Sequence, residues 1–275
     1  MVASALLFAG MSAAVKAASF ELPNGVVVFF RNLVGLLALL PWLRGSEAPT
    51  LRTRHLGEHL VRGLAGLAAM YCFFYAIGHM RLADAVLLYY SLPLFLPLIE
   101  RVWLKEPLPR GLGAPLTVGL LGVLLILRPG LGLFRPVALV ALLAALFAAV
   151  AQVGVRRLTL TEPVARIVFY FGTVATLASA LPLPWLWRTP RPATWGVLVA
   201  TGVLATGGQI CLTRAYALAS AGRVGPFIFT GVMFAGIIDW LLWGTLPDAP
   251  SVLGALLVAG AAVLALELRV GGAPA

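Results

Sequence analysis

Residues 60–79 read LVRGLAGLAAMYCFFYAIGH and, three residues later, 83–103 read ADAVLLYYSLPLFLPLIERVW. A helix needs about 20 mostly apolar residues to cross the hydrocarbon core of a bilayer. Both segments have that length, and their charges lie near the ends. A three-residue gap leaves room only for a tight turn between antiparallel neighbours. The same pattern recurs along the chain and predicts ten spans, over residues 2–20, 25–43, 60–79, 83–103, 111–127, 136–155, 164–187, 193–218, 222–246 and 251–268. Polar or turn-forming clusters punctuate them, among them Glu21-Leu22-Pro23-Asn24-Gly25, Arg44 to Glu58, and Arg128-Pro129-Gly130. The predicted fold is an all-α integral membrane protein of ten transmembrane helices.

Composition points the same way. Of 275 residues, 61% are hydrophobic and 11% charged, against about 45–50% and 25% in a soluble domain, so lipid must be the solvent for much of the surface. The net charge of +10 does not mark a nucleic-acid partner, because the basic residues sort by side. With the N-terminus inside, the predicted cytoplasmic loops carry 13 of them, Arg62 included, and the opposite side carries 5. An excess of Lys and Arg marks the cytoplasmic side. The predicted location is an inner (plasma) membrane, multi-pass, with both termini cytoplasmic. The opening MVASALLFAG has no basic n-region, so no cleaved signal peptide is expected. A span starting almost at residue 1 leaves room for a short native leader ahead of it. Cys72 and Cys211 lie in apolar runs without disulfide or metal-ligand spacing and read as packing residues.

The halves look related. Pro41-Trp42-Leu43 closes span two and Pro184-Trp185-Leu186 closes span seven; a shift of 139 residues pairs Cys72 with Cys211, Ser91 with Thr230, Phe95 with Phe234 and Glu100 with Asp239. Two repeats are predicted, 1–130 and 131–275. Five spans per repeat is an odd number, so the second copy must be inverted. Inverted repeats are an architecture of secondary transporters, with the substrate between the halves near midplane.

No phosphate-binding loop, zinc-protease motif or nucleophile elbow occurs, so no catalytic residue, cofactor or metal ligand is assigned. Charges within spans are costly and often functional. Lys16 is placed about 6 Å, and Arg31 about 10 Å, below the outer ends of their spans at 1.5 Å per residue. They are read either as a positive pair in an outward vestibule that attracts a carboxylate, or as snorkelling residues. Glu100 and Asp239 fall near opposite ends of spans four and nine, as gate residues or as solvated helix ends. Tyr71, Tyr75 and His79 share a face of span three, and Thr206, Gln209, Thr213, Tyr216 and Ser220 recur along span eight. Such faces look into a wet cavity or make interhelical hydrogen bonds. Tyr89 and Tyr90 stand beside the helix-bending Pro93 and Pro97 in span four; span nine offers Gly225-Pro226, Phe227 and Phe229. Trp42, Trp185, Trp187, Trp195 and Trp243, near span ends, read as interface anchors.

The chain resembles the ten-helix EamA branch of the drug/metabolite transporter superfamily over essentially its whole length. The matching residues are Gly10 to Lys16, Pro23 followed by Arg31, Leu104-Lys105-Glu106-Pro107 after span four, and the glycine-rich fifth and tenth spans. One departure is Trp243-Gly244-Thr245-Leu246, which lacks the glutamate that many members repeat there. The resemblance implies a central cavity lined by spans one, three, four, six, eight and nine. Carried onto this sequence, it falls on Tyr71, Tyr75, Tyr89, Tyr90, Gln152, Gln209, Thr213, Phe227 and Phe229. Within the family the chain looks most like bacterial exporters of aromatic and other neutral amino acids.

The function expected is export of amino acids or related small metabolites across a bacterial inner membrane by alternating access. The expected partners are that small-molecule substrate and the lipid bilayer, with the protein a monomer or weak dimer. The alternatives are import of a nucleoside or S-adenosylmethionine-like solute by the same fold, a membrane-embedded enzyme, and a structural subunit. His55, His59 and His79 supply no acid/base or metal cluster for the enzyme.

Overall fold

A backbone N–H or C=O in hydrocarbon finds no water, so a crossing chain must be helical or form a closed barrel. This chain takes helix. A computed structural model describes residues 1–43, 51–103, 113–127, 136–218, 230–244 and 248–271. Among them are α1 (Val2–Ser19), α2 (Asn24–Leu43), α3 (Leu56–His79), α4 (Leu82–Tyr89), α5 (Leu92–Trp103) and α6 (Gly113–Leu127). There follow α7 (Pro136–Leu158), α8 (Val164–Ala180), α9 (Leu183–Leu186), α10 (Pro192–Leu218), α11 (Thr230–Trp243) and α12 (Ala249–Gly271). No strand occurs among the described residues. Five stretches are long and apolar enough to cross a bilayer: Val2–Ser19, Leu56–His79, Asp84–Trp103, Pro136–Leu158 and Pro192–Ala215. Shorter apolar helices cover Asn24–Leu40, Val164–Ala180, Met233–Trp243 and Val252–Ala261. The protein is a multi-pass membrane protein.

Three departures from the predicted spans have local causes. The segment 83–103 is two helices, not one. Pro93 has no N–H to give the carbonyl of Tyr89, and α4 stops at Tyr89. The break is bridged by Tyr90 N–H to the Val86 carbonyl at 2.9 Å and by Ser91 Oγ, which donates to the Leu88 carbonyl at 2.7 Å. The predicted span 164–187 likewise ends its main helix at Ala180, ahead of Pro182 and Pro184, with α9 a single further turn. Finally, α3 starts four residues earlier than predicted. His59 and Arg62, taken from sequence as cytoplasmic-loop residues, are both buried in it. Removing Arg62 from the loop tally leaves the sign of the charge asymmetry unchanged.

Small residues set the packing. The α3–α7 pair is the most extensive contact in the bundle, followed by α6–α12 and α1–α10. On α7 the buried residues include Ala138, Ala141, Ala144, Ala145, Ala148 and Ala149, which let helix backbones approach closely. Between α2 and α10 the approach is closer still. A Cβ on Gly202 would lie 2.5 Å from Val34 Cβ and 3.0 Å from the Gly35 amide nitrogen, and one on Gly35 would lie 2.7 Å from Thr206 Oγ1.

At the end of the bundle where α3 starts, the stretch 51–55 is tied down by side chains. Tyr170 donates its hydroxyl to the Leu51 carbonyl at 2.9 Å, and Thr53 donates to Glu162 at 2.6 Å. Glu162 also pairs with Arg166. Burial pushes the Glu162 carboxyl up, but the bonds from Thr53 and Arg166 outweigh it and hold its pKa below the usual value.

The Gly202 contact gives a direct test of the packing. Gly202→Val should cost about 1–3 kcal/mol by overpacking, read as a lower unfolding midpoint in detergent. Gly196→Ala, on the same helix with nothing within 4 Å of the added carbon, should not lower it.

Candidate functional site

A single large cavity of about 670 Å³ runs through the centre of the described bundle. Every helix from α1 to α11 except α6 and α9 contributes to its wall. It reaches the surface at the end where Met1, Arg156, Thr159 and Leu160 lie. Phe8, Ser12, Tyr89 and Gln209 also line it.

The far end is shut by side chains. Lys16 lies one helical turn beyond Ser12 and pairs with Asp239 at 2.8 Å, with the two side chains 12% and 1% exposed. The same ammonium sits 4.4 Å from the centroid of the Trp243 ring. That ring belongs to the closure and is not a lipid anchor, whereas Trp185 is widely exposed. Arg81 holds Asp84 at 2.7 Å and approaches Asp248 at 3.6 Å. Burial lowers the Arg81 pKa, but the bond to Asp84 and its charge, with Asp248 adding to them, reverse the sign and hold it above the ordinary value. Nearby, Glu21 accepts from Thr194 Oγ1 at 2.5 Å and from the Arg191 amide at 2.8 Å. These bonds, with the Arg191 and Arg188 charges, hold its carboxyl below the usual range. A second ion pair stands at the open mouth, where Arg156 of α7 donates to Glu100 of α5 at 2.7 Å.

The cavity wall divides by chemistry. One part is aromatic: Phe73 and Tyr89 have ring centroids 4.5 Å apart, and Tyr89 and Tyr90 are 5.8 Å apart. Another is amide and hydroxyl. Gln209 and Thr213 share a face of α10, where Thr213 Oγ1 donates to the Gln209 carbonyl at 2.8 Å, and Gln152 lies on α7. The third is cationic. Arg31 of α2 and Arg62 of α3 both line the cavity, 7% and 4% exposed.

Of the residues predicted to bind substrate, Tyr89, Tyr90, Gln152, Gln209 and Thr213 lie in the cavity wall. Tyr71 and Tyr75 are not among its lining residues. Tyr71 packs into the core with its hydroxyl buried and unpartnered. Tyr75 is 40% exposed and stacks on His79 at 4.1 Å, so the span-three stripe faces away from the cavity. Thr206 spends its hydroxyl on the Gly35 carbonyl at 3.1 Å, the interhelical role. Lys16 and Arg31 do not form a vestibule pair, since Lys16 is engaged by Asp239 and Arg31 faces the cavity. Pro93 and Pro97 lie in α5, and Pro226, Phe227 and Phe229 fall outside the described residues. Sequence reasoning missed Arg62 and Phe171. Arg62 carried a signal, being the lone arginine within α3's apolar run; Phe171, one of 14 phenylalanines, carried none.

A helical membrane bundle with a central solute-sized cavity, open at one end and latched at the other, defines a transporter. The family to which it belongs is clear from comparison: the chain is a member of the EamA-like transporter family, whose model matches residues 1–128 and again 135–266. It is 38% identical over 266 residues to the pseudopaline exporter CntI of Pseudomonas aeruginosa, covering 95% of this chain and 93% of that protein. It is 27% identical to a riboflavin transporter of Vibrio cholerae, over 94% of this chain and 88% of the relative. An S-adenosylmethionine uptake transporter of Rickettsia felis is 23% identical, over 84% and 79%. A protein of known crystal structure shares the fold with a TM-score of 0.64 at 19% identity, covering 98% of this chain and 99% of that one. The protein is thus a membrane transporter of small molecules and not an enzyme.

The latch makes a prediction. Lys16→Met leaves the Asp239 carboxylate buried without its lysine, which should cost about 3–5 kcal/mol, seen as a lower unfolding midpoint in detergent. Adding Asp239→Asn should restore most of the loss; a further drop would contradict the pairing.

Proposed function

We propose that this protein exports amino acids or closely related small metabolites across a bacterial inner membrane by alternating access. The observation that carries the reading is the one-ended cavity whose closed end is a salt bridge between α1 and α11, two helices from different halves of the chain. A solute entering at the open end meets Tyr89 and Phe73 for its apolar part and Gln152, Gln209 and Thr213 for its polar part. The export direction draws support from the 38%-identical relative named an exporter. A second reading, uptake, draws on the relative named an uptake transporter.

The alternating step rests on a two-repeat reading, 1–130 and 131–275, with the second copy inverted. The separate family matches to 1–128 and 135–266 support it. So does the packing: α1 contacts α10 and α11, while α7 contacts α3 and α5; α2 contacts α10, while α8 contacts α3. Exchanging the halves leaves this set of contacts unchanged. The ion pairs follow the same exchange. Glu100 and Asp239 are 139 residues apart, and Lys16 and Arg156 are 140 apart. Lys16–Asp239 at one end thus corresponds to Arg156–Glu100 at the other. In this account the Lys16–Asp239 latch opens and the mouth beside Arg156–Glu100 closes as one half rocks against the other. With the charge asymmetry of the loops, the open end and both termini face the cytoplasm.

Counterflow in proteoliposomes tests the reading. Vesicles loaded with unlabelled amino acids should accumulate a labelled trace of the transported one, and Tyr89→Ala should reduce the rate by roughly tenfold or more. Tyr75→Ala, at a ring outside the cavity, should leave it near the unsubstituted rate. Equal loss in both variants would remove the aromatic wall from the substrate path.

A further inference from the structure

Among the described residues, two cations in the cavity wall have no carboxylate partner. Lys16, Arg156 and Arg166 are each paired with a carboxylate. Among the described residues no carboxylate pairs with Arg31 or Arg62. Arg31 gives Nη1 to the neutral Asn32 side chain at 2.8 Å, and its Nε has no partner. In Arg62, Nε and Nη1 are both buried and unpartnered. Both guanidinium groups stand against one ring: Cζ of Arg62 is 3.6 Å, and Cζ of Arg31 5.6 Å, from the Phe171 centroid.

The surroundings are shaped to hold these groups. A Cβ on Gly154 would come within 3.1 Å of Arg62 Cβ, and one on Gly66 within 3.1 Å of Arg62 Nη1; glycine at both positions leaves the arginine its space. Asn24, at the start of α2, donates to the Tyr71 carbonyl in the second half of α3 at 2.9 Å. Arg31 lies about 10 Å into α2 and Arg62 about 9 Å into α3, and both guanidinium groups reach the Phe171 ring. Two positive charges held in a weakly polar wall without anions are costly. A solute that brought negative charge to this wall would relieve that cost.

We propose that Arg31 and Arg62, with Phe171 beside them, form a subsite for a solute carrying two carboxylate groups, one for each guanidinium. The planar fork of arginine matches a carboxylate bidentately, and the ring stacked against Arg62 limits its rotation. This deepens the transport reading and rests on it: the substrate is a diacid, such as an amino acid with a second carboxylate, and not a neutral amino acid.

Binding to the purified protein in detergent tests the subsite apart from transport. Glutarate should bind at least about tenfold more tightly than its monoamide, as expected for one charged hydrogen-bonding partner. Arg31→Gln and Arg62→Gln should each abolish that preference, and Arg62→Lys should keep part of it. Both glutamine variants should melt no lower than the unsubstituted protein without ligand, because each removes a buried unpaired charge; arginines held only for packing would melt lower. Equal binding of glutarate and its monoamide, or of neither, would overturn the proposal, as would inorganic phosphate binding more tightly than glutarate. A diacid preference in binding without counterflow of any solute would sink the transport reading and leave the subsite standing. Counterflow of neutral amino acids with no diacid preference would do the reverse.

Discussion

Hydrocarbon offers no hydrogen-bond partner, so every polar group in a membrane bundle must find one within the protein or face water. This constraint organises the whole molecule. Backbone groups are satisfied by helix, and serine and threonine hydroxyls turn back onto carbonyls, as Ser12 does onto Phe8 and Ser179 onto Ala175. Ions gather at the two ends, where Lys16 meets Asp239 and Arg156 meets Glu100. Arg31 and Arg62, whose guanidinium groups keep unpartnered nitrogens, face one cavity. The cavity is the place where unsatisfied polarity can be kept.

Close packing makes that arrangement possible. The alanine face of α7 and the Gly35–Gly202 contact bring backbones together on the flanks, leaving the large side chains to line the centre. The break between α4 and α5 has a related effect. By ending a helix at Tyr89, Pro93 sets two tyrosines at the inner wall beside Phe73. Two ion pairs, Lys16–Asp239 and Arg156–Glu100, stand at opposite ends of the bundle. Each joins a helix from the N-terminal half of the chain to one from the C-terminal half.

Much of the fold was legible in the sequence because lipid imposes a long, low-frequency signal. A run of 20 apolar residues between Pro and Arg clusters has few other readings, and the helices found lie within the predicted spans or a few residues beyond. The splits at Tyr90 and Ala180 were visible as prolines, but proline permits either a kink or a stop, and only packing decides. The site was half legible. Gln209 and Thr213 declared themselves by polarity at helical spacing, whereas the equally regular Tyr71 and Tyr75 turn away from the cavity, because tyrosine is also at home in a core or at an interface. Arg62, the third residue of the predicted span, was counted with the loop charges; the helix begins at Leu56, which sets it a further turn inward.

The central claim is that the cavity is a path exposed to one side at a time, with the Lys16–Asp239 pair as its far door. Side-specific labelling tests it most directly. In a background with Cys72 and Cys211 replaced, Gln152→Cys in sealed vesicles of known orientation would be treated with a membrane-impermeant thiol reagent from each side. Reaction should occur from the side of Met1 alone, and from both sides once Lys16→Met opens the far end. Equal reaction from both sides with Lys16 intact, or none from either, would contradict it.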